Sequence, residues 1–457
     1  MGFILSILYF LTYYLTPTTM FGPLSVYRIE LILAVLVLLV SLPSLQGSFV
    51  PKTPQFWALI GLGIATLLSV VVGEHWVGGS MPALLLFIPN AYAYLLVCLH
   101  CNSKRKLKFL VLMLLFVCLF VIAHGVVELQ NGPTAAVAAE AANNTNSYLL
   151  PMPGGGGTWF YRLRGLGEIE DPNDFCQLIA CVLPLVFIFW RPQKTLQNAA
   201  FVIVPVGALI YGAFLTHSRG GMLALIVMTA VAARRRIGTL PALLLLAGLY
   251  VAASALHFTG GRDISADAGQ DRLDLWSDGI QILRSHPLFG VGYGNMMSYA
   301  ENTAHNSIVV CAAELGLVGL YSWSLFLLPT IKDTLAIASP DKVTEAVPIE
   351  SEKSRLPYGR PPAAIETLDK SEVNRLGQLM ILSFTGFLVA AWFLSRAYVL
   401  TLFLLGGIVG AIFDMAQRQG MIAPRLPFAR TLVHTGLFTI SLLVSVYIML
   451  RLGNLMR

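Results

Sequence analysis

Residues Ser103–Glu128 read SKRKLKFLVLMLLFVCLFVIAHGVVE. Lys104, Arg105, Lys106 and Lys108 crowd the start, and no charged residue follows until Glu128. About 20 apolar residues wound as a helix cross the roughly 30 Å hydrocarbon core of a bilayer. The apolar residues are continuous rather than alternating, so the segment spans as a helix and not as a barrel strand. A basic cluster at one foot of such a helix belongs on the cytoplasmic side. This one stretch therefore sets both a fold class and an orientation.

The rest of the chain repeats the pattern. Hydrophobic residues make up 56% of the 457 and charged residues 12%, about half the charge of an ordinary soluble domain. The mean hydropathy is +0.73. Apolar runs lie at 3–20, 25–45, 56–73, 80–100, 107–128, 174–190, 198–216, 221–233, 239–257, 306–330, 378–394, 397–413 and 432–450. The expected fold is all-α: a polytopic integral membrane protein with about 12 (12–13) transmembrane helices and a periplasmic loop region containing short amphipathic helices. The first run has no basic flank and no small-residue cleavage site, so it reads as a retained helix. Neither a 20–50-residue repeat nor an appended soluble domain interrupts the pattern, and 1–457 reads as a single transmembrane domain. The six cysteines sit in or beside apolar segments. Cys98-Leu-His-Cys101 has no second Cys/His pair at zinc spacing, so no metal site is expected.

Alternating the spans puts Lys52, Ser103–Lys108, Arg191–Lys194, Arg234–Arg236 and the Lys332–Arg375 stretch on one side, with all nine lysines. That side is the cytoplasm. The opposite, periplasmic side carries arginine only: Arg28, Arg162, Arg164, Arg219, Arg262, Arg272, Arg284 and Arg396, with Arg451 and Arg457 if the last span exists. Positive charge is disfavoured there, and arginine is suited to bidentate contact with phosphate. A phosphate ligand outside is one reading; pairing with acids such as Asp263, Asp271 and Asp274 is the other. Two periplasmic loops are long, at 129–173 and 258–305. The stretch 333–372 is rich in proline and charge and reads as a disordered cytoplasmic loop.

Three features stand at the periplasmic edge. His305-Asn306 opens directly into an apolar helix. A helix N-terminus favours neutral imidazole and can bind an anion, which suits a general base beside a phosphate; an interfacial cap is the plainer alternative. Thr216–Met222, THSRGGM, is a very short turn that places Arg219 at a membrane edge, with Gly220 and Gly221 expected to tolerate φ > 0 and close approach. Asp271–Met296, DRLDLWSDGIQILRSHPLFGVGYGNM, begins as a helix with an apolar stripe (Leu273, Trp276, Ile280, Leu283) and Arg272 at its start. It continues into a return whose Gly290, Gly292 and Gly294 could let backbone amides approach a ligand.

Together these residues resemble the bacterial O-antigen ligase / polysaccharide polymerase superfamily. His305-Asn306, nine residues, then Gly316-x-x-Gly319 is similar to its His-[Asn/Ser/Gln]-x9-Gly-x-x-[Gly/Thr/Tyr] motif. SRGG, R-x-x-x-W and PLFGVGYGN follow in order, so the resemblance covers an O-antigen ligase-like core at about 160–330. Asp171–Cys176, DPNDFC, is similar to the exopolysaccharide-cluster members. The resemblance implies a glycosyltransferase of the bacterial inner membrane that is inverting and needs no metal or other cofactor. Its donor is a glycan on undecaprenyl diphosphate, and its acceptor is lipid A-core, as in lipopolysaccharide biosynthesis, or another glycan chain. It further implies His305 as the base on the acceptor hydroxyl and Arg219 and Arg272 as holders of the diphosphate, with Arg262 competing for the second place. Asn306, Arg164, Asp171 and Asn173 are possible supporting residues. Membrane lipids surround the chain and no nucleic-acid partner is expected. A polymerase extending a lipid-linked chain is the alternative. A small-anion transporter would instead place its ionisable groups near the bilayer midplane.

Overall fold

The computed structural model describes residues 1–20, 28–46, 48–131, 147–153, 159–256, 258, 266–339 and 368–455. Every expected span falls on a helix. Among the described residues nine helices are long and apolar enough to cross a membrane, and Gly2–Leu15, Ile29–Leu45 and Thr239–Ala255 are shorter apolar helices. The Arg219–Ile237 helix is 19 residues long but charged at both ends, with Arg219 at its start and Arg234–Arg236 in its last turn. The final run exists as the helix Phe428–Leu455.

Burial sorts the helices into a centre and a rim. Leu400–Arg418 and Ser307–Ile337 are 89% and 83% buried over their most apolar windows, whereas Phe428–Gly453 is 17% buried. Residues with no need to face other helices stay apolar because lipid is the solvent there. At the cytoplasm-assigned end, Lys104 pairs with Glu372. Nearby, Arg375 donates to the carbonyls of Phe187 at 3.1 Å and Ile188 at 3.0 Å, and Arg425 and Gln55 share the Asp333 carboxylate. The lysine-bearing segments thus meet at one end and the His305 segment lies at the other.

The loops agree with expectation in part. The Lys104 helix runs on to Asn131, and the loop expected at 129–173 contains a β-hairpin. Strand β1 (Leu149–Pro153) pairs antiparallel with β2 (Trp159–Leu163), with Leu150 opposite Arg162. The loop expected at 258–305 contains the helix Ala266–Ser285, as the apolar stripe from Leu273 to Leu283 predicts. At 333–372 the preceding helix continues to Ile337 and the next begins at Lys370. The disorder expected there falls on 340–367, outside the described residues.

The Ser307–Ile337 helix is broken at Gly316, which has φ 64° and ψ −163°. The freed backbone groups are satisfied by the glycine-rich return. Leu317 N–H donates to Pro287 O at 2.8 Å and Val318 N–H to Leu288 O at 3.2 Å. In the other direction, Val291 N–H donates to Ala313 O at 3.0 Å and Gly292 N–H to Glu314 O at 3.1 Å. The Glu314 carboxylate accepts from the backbone of Gly294 and Met296. Unpaired backbone groups are costly at membrane depth, so break and loop have to form together. This corrects the expectation for Gly290, Gly292 and Gly294: their amides are used within the fold, that of Gly290 on His286 O at 3.0 Å. Glycine is required at 316 because the backbone is left-handed there and a Cβ would lie 2.4 Å from the Leu288 carbonyl.

Candidate active site

Asn306 is the N-cap of the Ser307–Ile337 helix. Its side-chain oxygen accepts from Ile308 N at 2.9 Å and Val309 N at 3.2 Å, and its amide donates to Trp392 O at 3.1 Å. It is fully buried, so its role is to begin the helix and fasten it. His305, one residue earlier, is left-handed with φ 47°, a conformation uncommon outside glycine. Its N–H donates to Ser395 Oγ at 2.8 Å. Ser307 Oγ donates to Leu394 O at 2.7 Å and accepts from Arg396 N at 3.1 Å. The segment 392–396 therefore cradles the His-Asn-Ser start from the far side of the chain. Among the described residues nothing hydrogen-bonds to the His305 ring.

The ring is held below the ordinary histidine value, first by burial and then by the Arg272 charge, while Asp171 pulls the other way. Neutral imidazole is thereby favoured, the form that accepts a proton.

The turn before Arg219 works differently from expectation. Gly220 and Gly221 lie inside the helix Arg219–Ile237, and the left-handed residue is His217, φ 48°. Ser218 caps the helix by accepting from Gly221 N at 3.1 Å. Of the two roles expected of the glycines, they fill close approach and not a positive φ. A Cβ on Gly221 would fall 2.1 Å from Cys176 Sγ, and one on Gly220 would fall 3.2 Å from Phe393 Cβ. The Arg272 guanidinium lies 5.6 Å from the Phe393 ring centroid, so Phe393 stands between the Arg219 helix start and Arg272. His217 Nδ1 is 3.0 Å from Phe258 O.

The expected residues come together as follows. Arg272 is depressed by burial and then by Arg219, and it acts on His305. Asp171 caps the helix Pro172–Val186, accepting from Asn173 N at 2.6 Å, and its charge reaches His305. Asn173 Oδ1 accepts from Arg162 at 3.0 Å. Arg164 donates through Nε to Ser147 O at 3.1 Å, at the open end of the hairpin. Arg262 lies outside the described residues.

Two further arginines of the periplasmic set also enter, with residues that sequence reasoning did not single out. Arg162, on β2, is 4% exposed and is depressed by burial, with Arg219 adding to the depression and Asp171 opposing it. Arg396 pairs with the buried Asp174 carboxylate, Nε to Oδ1 at 2.7 Å, and is raised by that partner against the effect of burial. Ser395 and Trp392 serve His305 and Asn306 by contacts that local sequence does not reveal.

Fold and site define a multi-pass membrane protein with a half-buried histidine at a helix mouth, its pKa held below the ordinary value, and arginines within electrostatic reach. Residues 204–324 match the family model described as O-antigen ligase, so this stretch is similar to a superfamily of glycosyl-transfer enzymes, ligases or polymerases. Arg219, Arg272 and His305 all lie in the matched stretch. A comparison with curated proteins returns no match.

Proposed function

We propose that the protein transfers a glycan from undecaprenyl diphosphate to an acceptor hydroxyl at the periplasmic face of the bacterial inner membrane. The observation that carries this reading is the convergence of the three segments: Phe393 packs against Gly220 at the start of the Arg219 helix and its ring lies 5.6 Å from the Arg272 guanidinium, while the neighbouring Ser395 holds His305 at the mouth of its helix. A lipid-linked donor keeps its chain in the bilayer and its diphosphate at the surface. A base and two cations at the mouth of a helix bracket the position of its anomeric carbon.

In this reading His305 takes the proton from the acceptor hydroxyl as its oxygen bonds to the anomeric carbon. The bond from that carbon to the diphosphate oxygen breaks, and the diphosphate leaves with the electron pair. Arg219 and Arg272 stabilise the charge that develops on it. Attack opposite the leaving group inverts the anomeric configuration. No cofactor or metal ion is needed, because the arginines supply the positive charge. Arg262 is kept as an alternative second holder.

The test is a transfer assay with purified protein, an undecaprenyl-diphosphate-linked glycan, and either lipid A-core or a second lipid-linked glycan as acceptor. His305→Ala is expected to lower turnover by about 10²–10⁴ while membrane insertion is unchanged. Wild-type turnover by that variant removes the assignment. The acceptor that is consumed separates a ligase from a polymerase.

A further inference from the structure

The hairpin carries a charged side chain into the interior, and this needs an explanation. A guanidinium that is 4% exposed is costly unless its donors are used. Arg162 Nε donates to Thr216 O at 2.9 Å, and Nη2 donates to Asn173 Oδ1 at 3.0 Å. These two acceptors lie on different parts of the chain. Asn173 is in the first turn of the helix that Asp171 caps.

Thr216 is the last residue before the left-handed His217, and the chain turns there toward Arg219. The Thr216 hydroxyl donates to Ala213 O at 2.7 Å and accepts from Ser218 N at 3.3 Å. Ser218 then caps the helix that starts with Arg219. One planar, rigid donor group therefore ties the hairpin, the first turn of the Pro172 helix and the turn that launches Arg219.

We propose that Arg162 is a positioning residue for Arg219, fixing the turn 216–218 so that the Arg219 guanidinium is aimed at the donor's diphosphate before the donor arrives. The proposal rests on the reading that Arg219 holds a diphosphate. A fork with fixed geometry suits this task, because a site built to bind charge gains by having its donors in place in advance. The hairpin is then the prop of the anion site. Two positive side chains held within each other's influence are relieved when an anion binds.

The test uses the full chain in nanodiscs, with farnesyl diphosphate as the binding probe and the transfer assay for kinetics. Arg162→Lys keeps the charge and loses the fork. It is expected to weaken the probe and raise donor KM by about tenfold, the scale of one lost charge-assisted hydrogen bond. Turnover at saturating donor is expected to fall as well, because the same guanidinium stabilises the leaving diphosphate, while the pH profile set by His305 is expected to be unchanged. In a double-mutant cycle, Arg162→Lys and Arg219→Lys together are expected to be little worse than Arg219→Lys alone, because both act through one guanidinium.

Additive losses in that cycle, or wild-type probe affinity in Arg162→Lys, overturn the inference. So does a fall in turnover with donor KM unchanged. If Arg162→Lys does not fold, Asn173→Ala decides the matter: it removes one tether and leaves the charge, and wild-type probe affinity in that variant overturns the inference. The diphosphate reading itself fails, and this inference with it, if the wild-type chain does not bind the probe or if Arg219→Lys leaves binding unaltered. If Arg219→Lys weakens the probe and Arg162→Lys does not, only the role of Arg162 fails.

Discussion

The backbone N–H of His305 meets the hydroxyl of Ser395 at 2.8 Å across 90 residues of sequence. The bond is made where the His305 backbone is left-handed, so it stabilises a conformation that the chain would not choose unaided. Ser395→Ala is expected to slow turnover by roughly fivefold, the equivalent of about 1 kcal/mol for one lost hydrogen bond. Donor affinity should not change. Turnover measured at saturating donor checks this, and a wild-type rate would show that the bond does not aim the ring.

A second expectation concerns pH. The folded His305 titrates below its ordinary value of 6.5, through burial and Arg272. The base must be neutral, so activity is full above this lowered value and is lost as the pH falls through it. The acid limb of kcat/KM should therefore lie below 6.5. Arg272→Gln removes a repelling charge and should move the limb upward; Asp171→Asn removes an attracting one and should move it downward. Shifts in the opposite directions would mean that the limb does not belong to His305.

Arg219→Lys distinguishes a phosphate holder from a simple counter-charge. Lysine keeps the charge and offers only a point donor, whereas arginine can make two parallel bonds to a diphosphate. Most activity should be lost, with weaker donor binding, in the lysine variant as in Arg219→Ala. Donor affinity and turnover of the three proteins in one nanodisc preparation provide the measurement. A nearly silent lysine variant would move the diphosphate role to Arg272 and Arg262.

The break at Gly316 allows a stability test. An alanine there would need φ 64° and would put its Cβ 2.4 Å from the Leu288 carbonyl. Gly316→Ala is expected to cost roughly 2–4 kcal/mol, from left-handed strain and backbone collision together. Gly207→Ala is the control, since a Cβ there meets nothing within 4 Å. Thermal unfolding of both variants in the same detergent should separate them clearly; equal midpoints would contradict the account of the break.

The spans and the basic bias of their ends can be read along the chain, because a helix in lipid must satisfy its backbone internally and show an apolar surface at every turn. That information is local, and a run such as Phe109–Val127 holds all of it. His305-Asn306 was legible for the same reason: a polar pair beside an apolar run marks a helix mouth. The sequence also showed that Gly290, Gly292, Gly294 and Gly316 matter, but not what they serve.

Their purpose emerges from the packing of the folded chain. The glycine-rich return fills the break in the Ser307–Ile337 helix, because backbone groups opened at Gly316 must find partners and Pro287 to Gly292 supply them. The hairpin was hidden because its two five-residue strands satisfy each other's ladder and bear no long apolar pattern. The partners of Arg162 at Thr216, of Arg396 at Asp174 and of His305 at Ser395 lie 54, 222 and 90 residues away. Such contacts depend on how the helices pack, and residue spacing along the chain holds no record of them.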